Sequence, residues 1–138
     1  MATQPATTAD STTVYRAIHW GFIALFGSGA AVHFFLALTT PDSYSPFADG
    51  ALFDWVYDAW QHIFMPHATT WALLLALAEL TIAVLLVKTP RVGYLAVIAF
   101  HLALMCFGWG FWFWSVPALA IALLAAHHAF QVRPVDPA

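Results

Sequence analysis

Between Thr69 and Val87 the chain runs through threonine, tryptophan and aliphatic residues with one ionisable side chain, Glu79, near the middle. A helix needs roughly 20 residues, at about 1.5 Å each, to cross about 30 Å of hydrocarbon. The stretch meets that length. A carboxyl group at such depth has to be protonated, paired or exposed to water in a cavity, which makes Glu79 a candidate functional residue.

The rest of the chain agrees with a lipid surrounding. It is 62% hydrophobic with a mean hydropathy of +0.79, and 8% of its residues are charged, against roughly 25% in soluble domains. A water-soluble fold of this size has too little interior to hide so much apolar surface. The hydropathy pattern predicts four spans, near 14–38, 69–87, 92–113 and 116–130. The first is expected to be retained, because its apolar run exceeds the roughly 7–15 residues of a signal-peptide core. The expected fold is all-α: a transmembrane four-helix bundle over residues 14–131, flanked by tails at 1–13 and 132–138. The first tail is expected to be disordered until Ser11, Thr12 or Thr13 caps the first helix.

Charge placement gives a topology. Arg16 lies before or at the start of the first span, Lys88 and Arg91 lie between the second and third, and Arg133 follows the fourth. Four crossings put all of them on one side, which the positive-inside rule assigns to the cytoplasm, with both termini there. The connection between spans one and two carries Asp42, Asp49, Asp54 and Asp58 and no Lys or Arg, so it is expected to face outward. Pro41, Pro46 and Gly50 punctuate it. Leu52, Val56, Ala59 and Ile63 then recur at helical spacing, with Trp55, Tyr57 and Trp60 suited to the headgroup zone. This predicts an amphipathic outer interfacial helix, serving either as a cover for the bundle or as a lid over a pocket.

Small residues at four-residue spacing, Gly27 with Ala31 and Ala118 with Ala122 and Ala126, are candidates for close helix approach. Gly108 and Gly110 are expected to loosen the outer end of the third helix. Beside them the run FGWGFWFW reads either as an interfacial belt or as an aromatic wall for a quinone, carotenoid or lipid.

His101 on the third span is the expected partner of Glu79. The short KTPR connection makes the second and third spans antiparallel neighbours, and both residues lie about ten positions from it. The pair reads either as interhelical glue or as part of a small polar cavity with Thr81, Tyr94 or Cys106. His19 and His33 are 14 positions apart on one face of the first helix, about 21 Å along its axis. With His127 or His128 opposite His19, and His62 or His67 opposite His33, a haem b site is an open alternative, as is metal binding by His62, His67 and Asp58. There is no HExxH, paired-cysteine or haem-attachment pattern. Cys106 is the single cysteine, and four basic residues give nucleic-acid binding no footing.

An arginine opening the first helix (Arg16), the GSGAAVHF segment at Gly27 to Phe34, the span WALLLALAELTIAVLLV with Glu79, and RVGYLAVIAFHLAL in the third span resemble the DoxX-like group of small four-span bacterial membrane proteins. The resemblance runs from Tyr15 to Phe130. It implies association with a membrane redox complex of the plasma membrane, a quinone-linked or accessory role, and involvement of Glu79, His33 and His101. Two functional classes stay open. One is an accessory or anchoring subunit in contact with another membrane chain, a homo-oligomeric partner, a quinone or a lipid. The other is a redox or transport protein in its own right, using the histidines or a Glu79 cavity; no reaction is assigned.

Overall fold

Proline and glycine divide the apolar runs. The computed structural model describes residues 8–131, which are helical almost throughout. The elements are α1 (Thr8–Thr39), a 3-10 segment (Pro41–Ala48), α2 (Asp54–Ala59), α3 (Ala68–Lys88), α4 (Pro90–Met105) and α5 (Trp109–Gln131). A π turn at Trp60–Phe64 and a 3-10 turn at Met65–His67 join α2 to α3. Pro66 explains this irregular join: it has no N–H to donate and its ring crowds the preceding turn. The Trp71 indole donates to the Ile63 carbonyl at the break, 3.1 Å away.

Three helical stretches are long and apolar enough to cross a membrane: Thr12–Thr39, Asp54–Lys88 and Trp109–Gln131. The α4 helix has 16 residues and is shorter. Large apolar side chains face outward along these helices; Phe113 is 90% exposed, Leu124 70% and Phe35 64%. That is the surface of a membrane protein, where lipid supplies the apolar surroundings.

Several boundaries differ from the sequence expectation. Ser11, Thr12 and Thr13 lie inside α1 rather than at its start. The third helix ends at Met105 and not near Phe113, because Gly108, with φ of 88°, makes a sharp turn. Gly110 and most of the aromatic run therefore belong to the start of α5. The Trp112 indole reaches back to the Met105 carbonyl, 2.8 Å away, and satisfies one of the orphan acceptors at the end of α4.

α1 packs chiefly on α3 and α4 on α5, and α3 joins the two pairs through α4. The α3 stripe Ala72, Ala76, Glu79, Ala83 and Leu86 is buried. Ala122 and Ala126 are buried as their spacing suggests, while Ala31 is exposed and Gly27 has open space at its Cβ position. The close approach made by α1 falls instead at Gly29 and Ala30, one face round the helix.

The basic residues gather at one end of the bundle. Tyr15 of α1 stacks on His128 of α5 with ring centroids 4.2 Å apart, and Arg91 donates to the Ala129 carbonyl at 3.2 Å. Arg16 and Lys88 sit beside these contacts in sequence, and Arg133 lies outside the described residues. At the opposite end the acidic connection folds down over the helices. Tyr44 and Ala48 are completely buried there, and the Leu52 N–H donates to the Cys106 carbonyl at 3.0 Å.

Candidate functional site at Glu79

Glu79 faces α1, not α4. It is 6% exposed, and its Oε1 lies 3.8 Å from His33 Nε2. That separation is too long for a hydrogen bond, and it becomes an ion pair only when His33 is protonated. Oε2 is buried with no hydrogen-bond partner among the described residues. The carboxyl group fits only because position 29 has no side chain: a Cβ there would stand 2.8 Å from Oε2 and 2.9 Å from Oε1. Gly29→Ala is therefore expected to push the carboxyl group off α1 and away from His33. Infrared difference spectroscopy of the Glu79 carboxyl band checks this, and an unshifted band would refute it.

His33 connects Glu79 to the outer connection. Its Nδ1 lies 2.5 Å from the Tyr44 hydroxyl, and the two rings stack with centroids 5.6 Å apart. Burial, and after it the Glu79 carboxylate, push the Tyr44 phenol above its ordinary range. The phenol therefore stays protonated at neutral pH and donates to Nδ1, which leaves the Nε2 proton facing Glu79. This tautomer is assigned from the network. Tyr44, His33 and Glu79 form a line from the cap to mid-span.

A cavity of about 630 Å³ adjoins this line. Glu79 and His33 are its ionisable wall residues, and the remainder is aromatic and aliphatic. Its roof comes from the outer connection: Phe47, Trp60 and Phe64, with Trp60 and Phe64 stacked at 3.8 Å. The Trp60 indole is fixed by donating to the Tyr44 carbonyl at 2.9 Å. Phe107, Phe111 and Trp114 close another side, so part of the aromatic run is a cavity wall, while Trp109 and Phe113 point outward. The connection is thus irregular helix folded over a cavity, where sequence periodicity suggested a helix lying along the interface.

The expected Glu79–His101 pair does not form. His101 is fully buried, and its Nδ1 donates to the Val97 carbonyl at 2.9 Å. Its ring is enclosed by Phe22, Phe26, Phe100 and Trp114. Counting from the KTPR turn gives similar depth but not direction. Glu79 reaches α1 at Gly29 and His33, whereas His101 meets it at Phe22 and Phe26, one to two turns nearer the basic end. Thr81 is exposed and bonds its own helix at Leu77. Tyr94 pairs with His19 at 3.1 Å, far along the bundle from Glu79.

The histidines are not arranged for a bis-histidine haem. The Tyr15 ring stacks on both His19 and His128, with centroids 5.7 Å and 4.2 Å away, and His19 Nδ1 is hydrogen-bonded with the Tyr94 hydroxyl. His127 turns to Gln131 on the exposed side, 2.9 Å away. At the other end His33 is held by Tyr44 and Glu79, and exposed His62 bonds the Asp58 carbonyl. No cluster of three or more His, Cys, Asp or Glu suited to a metal ion occurs among the described residues.

Sequence reading marks Glu79, His33 and, as one of two alternatives, a lid over a pocket from the connection that carries Trp60, but misses Tyr44, Phe47, Phe64 and the notch at Gly29. The Gly29–His33 spacing, one turn apart on one face, was an available signal; the inward turn of Tyr44 depends on long-range packing. No protein-family model matches the chain, and no curated protein or solved structure is similar to it, so the DoxX-like resemblance rests on the quoted segments alone.

Proposed function

We propose that this chain is an accessory subunit of a membrane complex that holds a lipophilic ring compound, of the quinone or quinol class, in the cavity beside Glu79. The observation that carries this reading is the Glu79 carboxyl group, short of one hydrogen-bond partner, beside His33 on the wall of a cavity whose other lining residues are aromatic and aliphatic. An unpaired buried acceptor is costly, and turning the carboxyl group from Gly29 toward a ligand hydroxyl in the cavity removes the cost. A protonated Glu79 would serve a quinone carbonyl equally well. The Tyr44–His33 line offers a route for the associated proton toward the outer connection. In this reading the chain supplies the ligand surface and the proton-handling group, and a partner chain supplies the electron-transfer centre.

The same proposal includes four crossings of the plasma membrane with both termini cytoplasmic. α4 is about 24 Å long at 1.5 Å per residue, yet its ends contact opposite ends of the bundle, at Ala129 and Leu52. Mismatch of a few ångströms is met by thinning of the bilayer or by flanking residues. The basic end supports the orientation.

Titration of ubiquinone-1 into protein in lipid nanodiscs tests the site, because Trp60, Trp71 and Trp114 line the cavity and report by fluorescence quenching. Saturable quenching is expected, weakened about tenfold or more in Glu79→Leu, as expected for a lost hydrogen bond to a charged group. Glu79→Gln, which keeps an acceptor and a donor, should lose much less. Quenching that is linear and equal in wild type and Glu79→Leu would overturn the proposal.

A further inference from the structure

Beside the Glu79 cavity lies a second space, a groove of about 340 Å³ between the α2 side of the outer connection and the end of α4. The two are not independent. Trp60, Phe64, Trp71, Ala103 and Phe107 line both, so each has these residues as one wall. Their chemistry differs from end to end. Glu79 and His33 stand in the cavity alone, while the groove has Val56, Ala59 and Ile63, with Cys106 as its weakly polar member. The groove opens onto an apolar part of the surface, since Trp55 and Ile63 on its rim are 66% and 57% exposed.

We infer that one single-tailed amphiphile occupies both spaces, its ring or hydroxyl head against Glu79 and its hydrocarbon tail passing the Trp60–Phe64 stack into the groove and out to lipid. This inference rests on the proposed cavity function and adds the tail. Polarity decides the direction: the cavity end with Glu79 and His33 takes the head, and the groove offers a tail no competing hydrogen bond. Lipid is as apolar as the groove, so the tail gains little from leaving it. What the groove adds is contact with flat, fixed aromatic walls, Trp60 and Phe64 stacked with an interplanar angle of 8°. The ligand class is therefore a compound with a small polar ring and one unbranched or isoprenoid chain, rather than a two-chain phospholipid, whose headgroup exceeds what one buried carboxyl group can satisfy.

Cys106, the single cysteine, lines the groove and is partly exposed, which makes it a built-in reporter. Protein in nanodiscs would be treated with N-ethylmaleimide, with alkylation followed by mass spectrometry, alone or with decylubiquinone or the tail-less duroquinone, both of which have no open ring carbon to which a thiol adds. Both quinones are expected to quench the cavity tryptophans. Decylubiquinone alone should slow Cys106 alkylation, by about fivefold at about four times its dissociation constant, where about four fifths of the sites are filled. Glu79→Leu should abolish that protection by releasing the head. Ala59→Trp, which fills the groove, should weaken decylubiquinone binding and leave duroquinone binding unchanged. Saturable quenching by both quinones with no protection of Cys106 overturns the tail assignment and leaves the cavity reading standing. Protection that persists in Glu79→Leu overturns the single-molecule arrangement, and absence of quenching by either compound overturns both readings.

Discussion

Gly93→Ala is expected to lower the apparent melting temperature by about 8 °C, whereas the same change at Gly27 should raise it slightly. A Cβ at position 93 would stand 2.6 Å from the Leu86 nitrogen and 2.7 Å from its Cα. These are backbone atoms of α3 and cannot swing aside, so α3 and α4 have to part. Overpacking costs about 1–3 kcal/mol and occasionally more, and the rigidity of the obstacle places this site at the upper end. Alanine's better helix propensity returns up to about 1 kcal/mol. Gly27 has nothing within 4 Å of its Cβ position, so only the propensity gain remains. Thermal unfolding in detergent, followed by tryptophan fluorescence, should show shifts of opposite sign. Shifts in the same direction would mean that the α3–α4 approach is looser than described.

Gly108→Ala should be about as damaging, through two additive causes. The residue has φ of 88°, a region that costs an L-residue with a Cβ roughly 1–2 kcal/mol. Its Cβ would also overlap the Gly50 carbonyl. Moving Gly50 strains the neighbouring Leu52 N–H to Cys106 carbonyl bond, which ties the outer connection to the α4–α5 turn. The cap should loosen over the cavity, with a total loss of about 3 kcal/mol. Limited proteolysis should then cut near residues 49–53 faster than in the wild type. Gly50→Ala is the control, since its Cβ would meet the Phe107 carbonyl at an ordinary 3.6 Å. Equal protease resistance in all three proteins would remove the turn's role in holding the cap.

Much of the helical layout is legible in the residues, for reasons that also mark the limits. α3 runs from Ala68 to Lys88, within a residue of its expected ends, because Pro66 and Pro90 stand just outside it. The division between α4 and α5 is not legible in the same way. FGWGFWFW is apolar throughout, so hydropathy has no edge there, and the turn depends on the φ angle of one glycine. Glu79 is recognisable as a site residue from its isolation. Its partner is not, because depth can be counted along a helix whereas facing depends on which neighbour a stripe packs against. The same limit hides Tyr44, which sits in a proline-rich connection and becomes buried only when that connection folds over α1 and α3.

The pairing of α1 with α3 has a consequence for biogenesis. During synthesis the first helix, with Gly29 and His33 aligned on one face, is made before the acidic side chain it will receive. A hairpin of α1 and α3 delivers Glu79 to that waiting notch as it leaves the translocation machinery, which shortens the time an unaccompanied carboxyl group faces lipid. The later hairpin of α4 and α5 contributes no side chain to the Glu79–His33 contact. It can pack second, and its arrival completes the aromatic wall of the cavity.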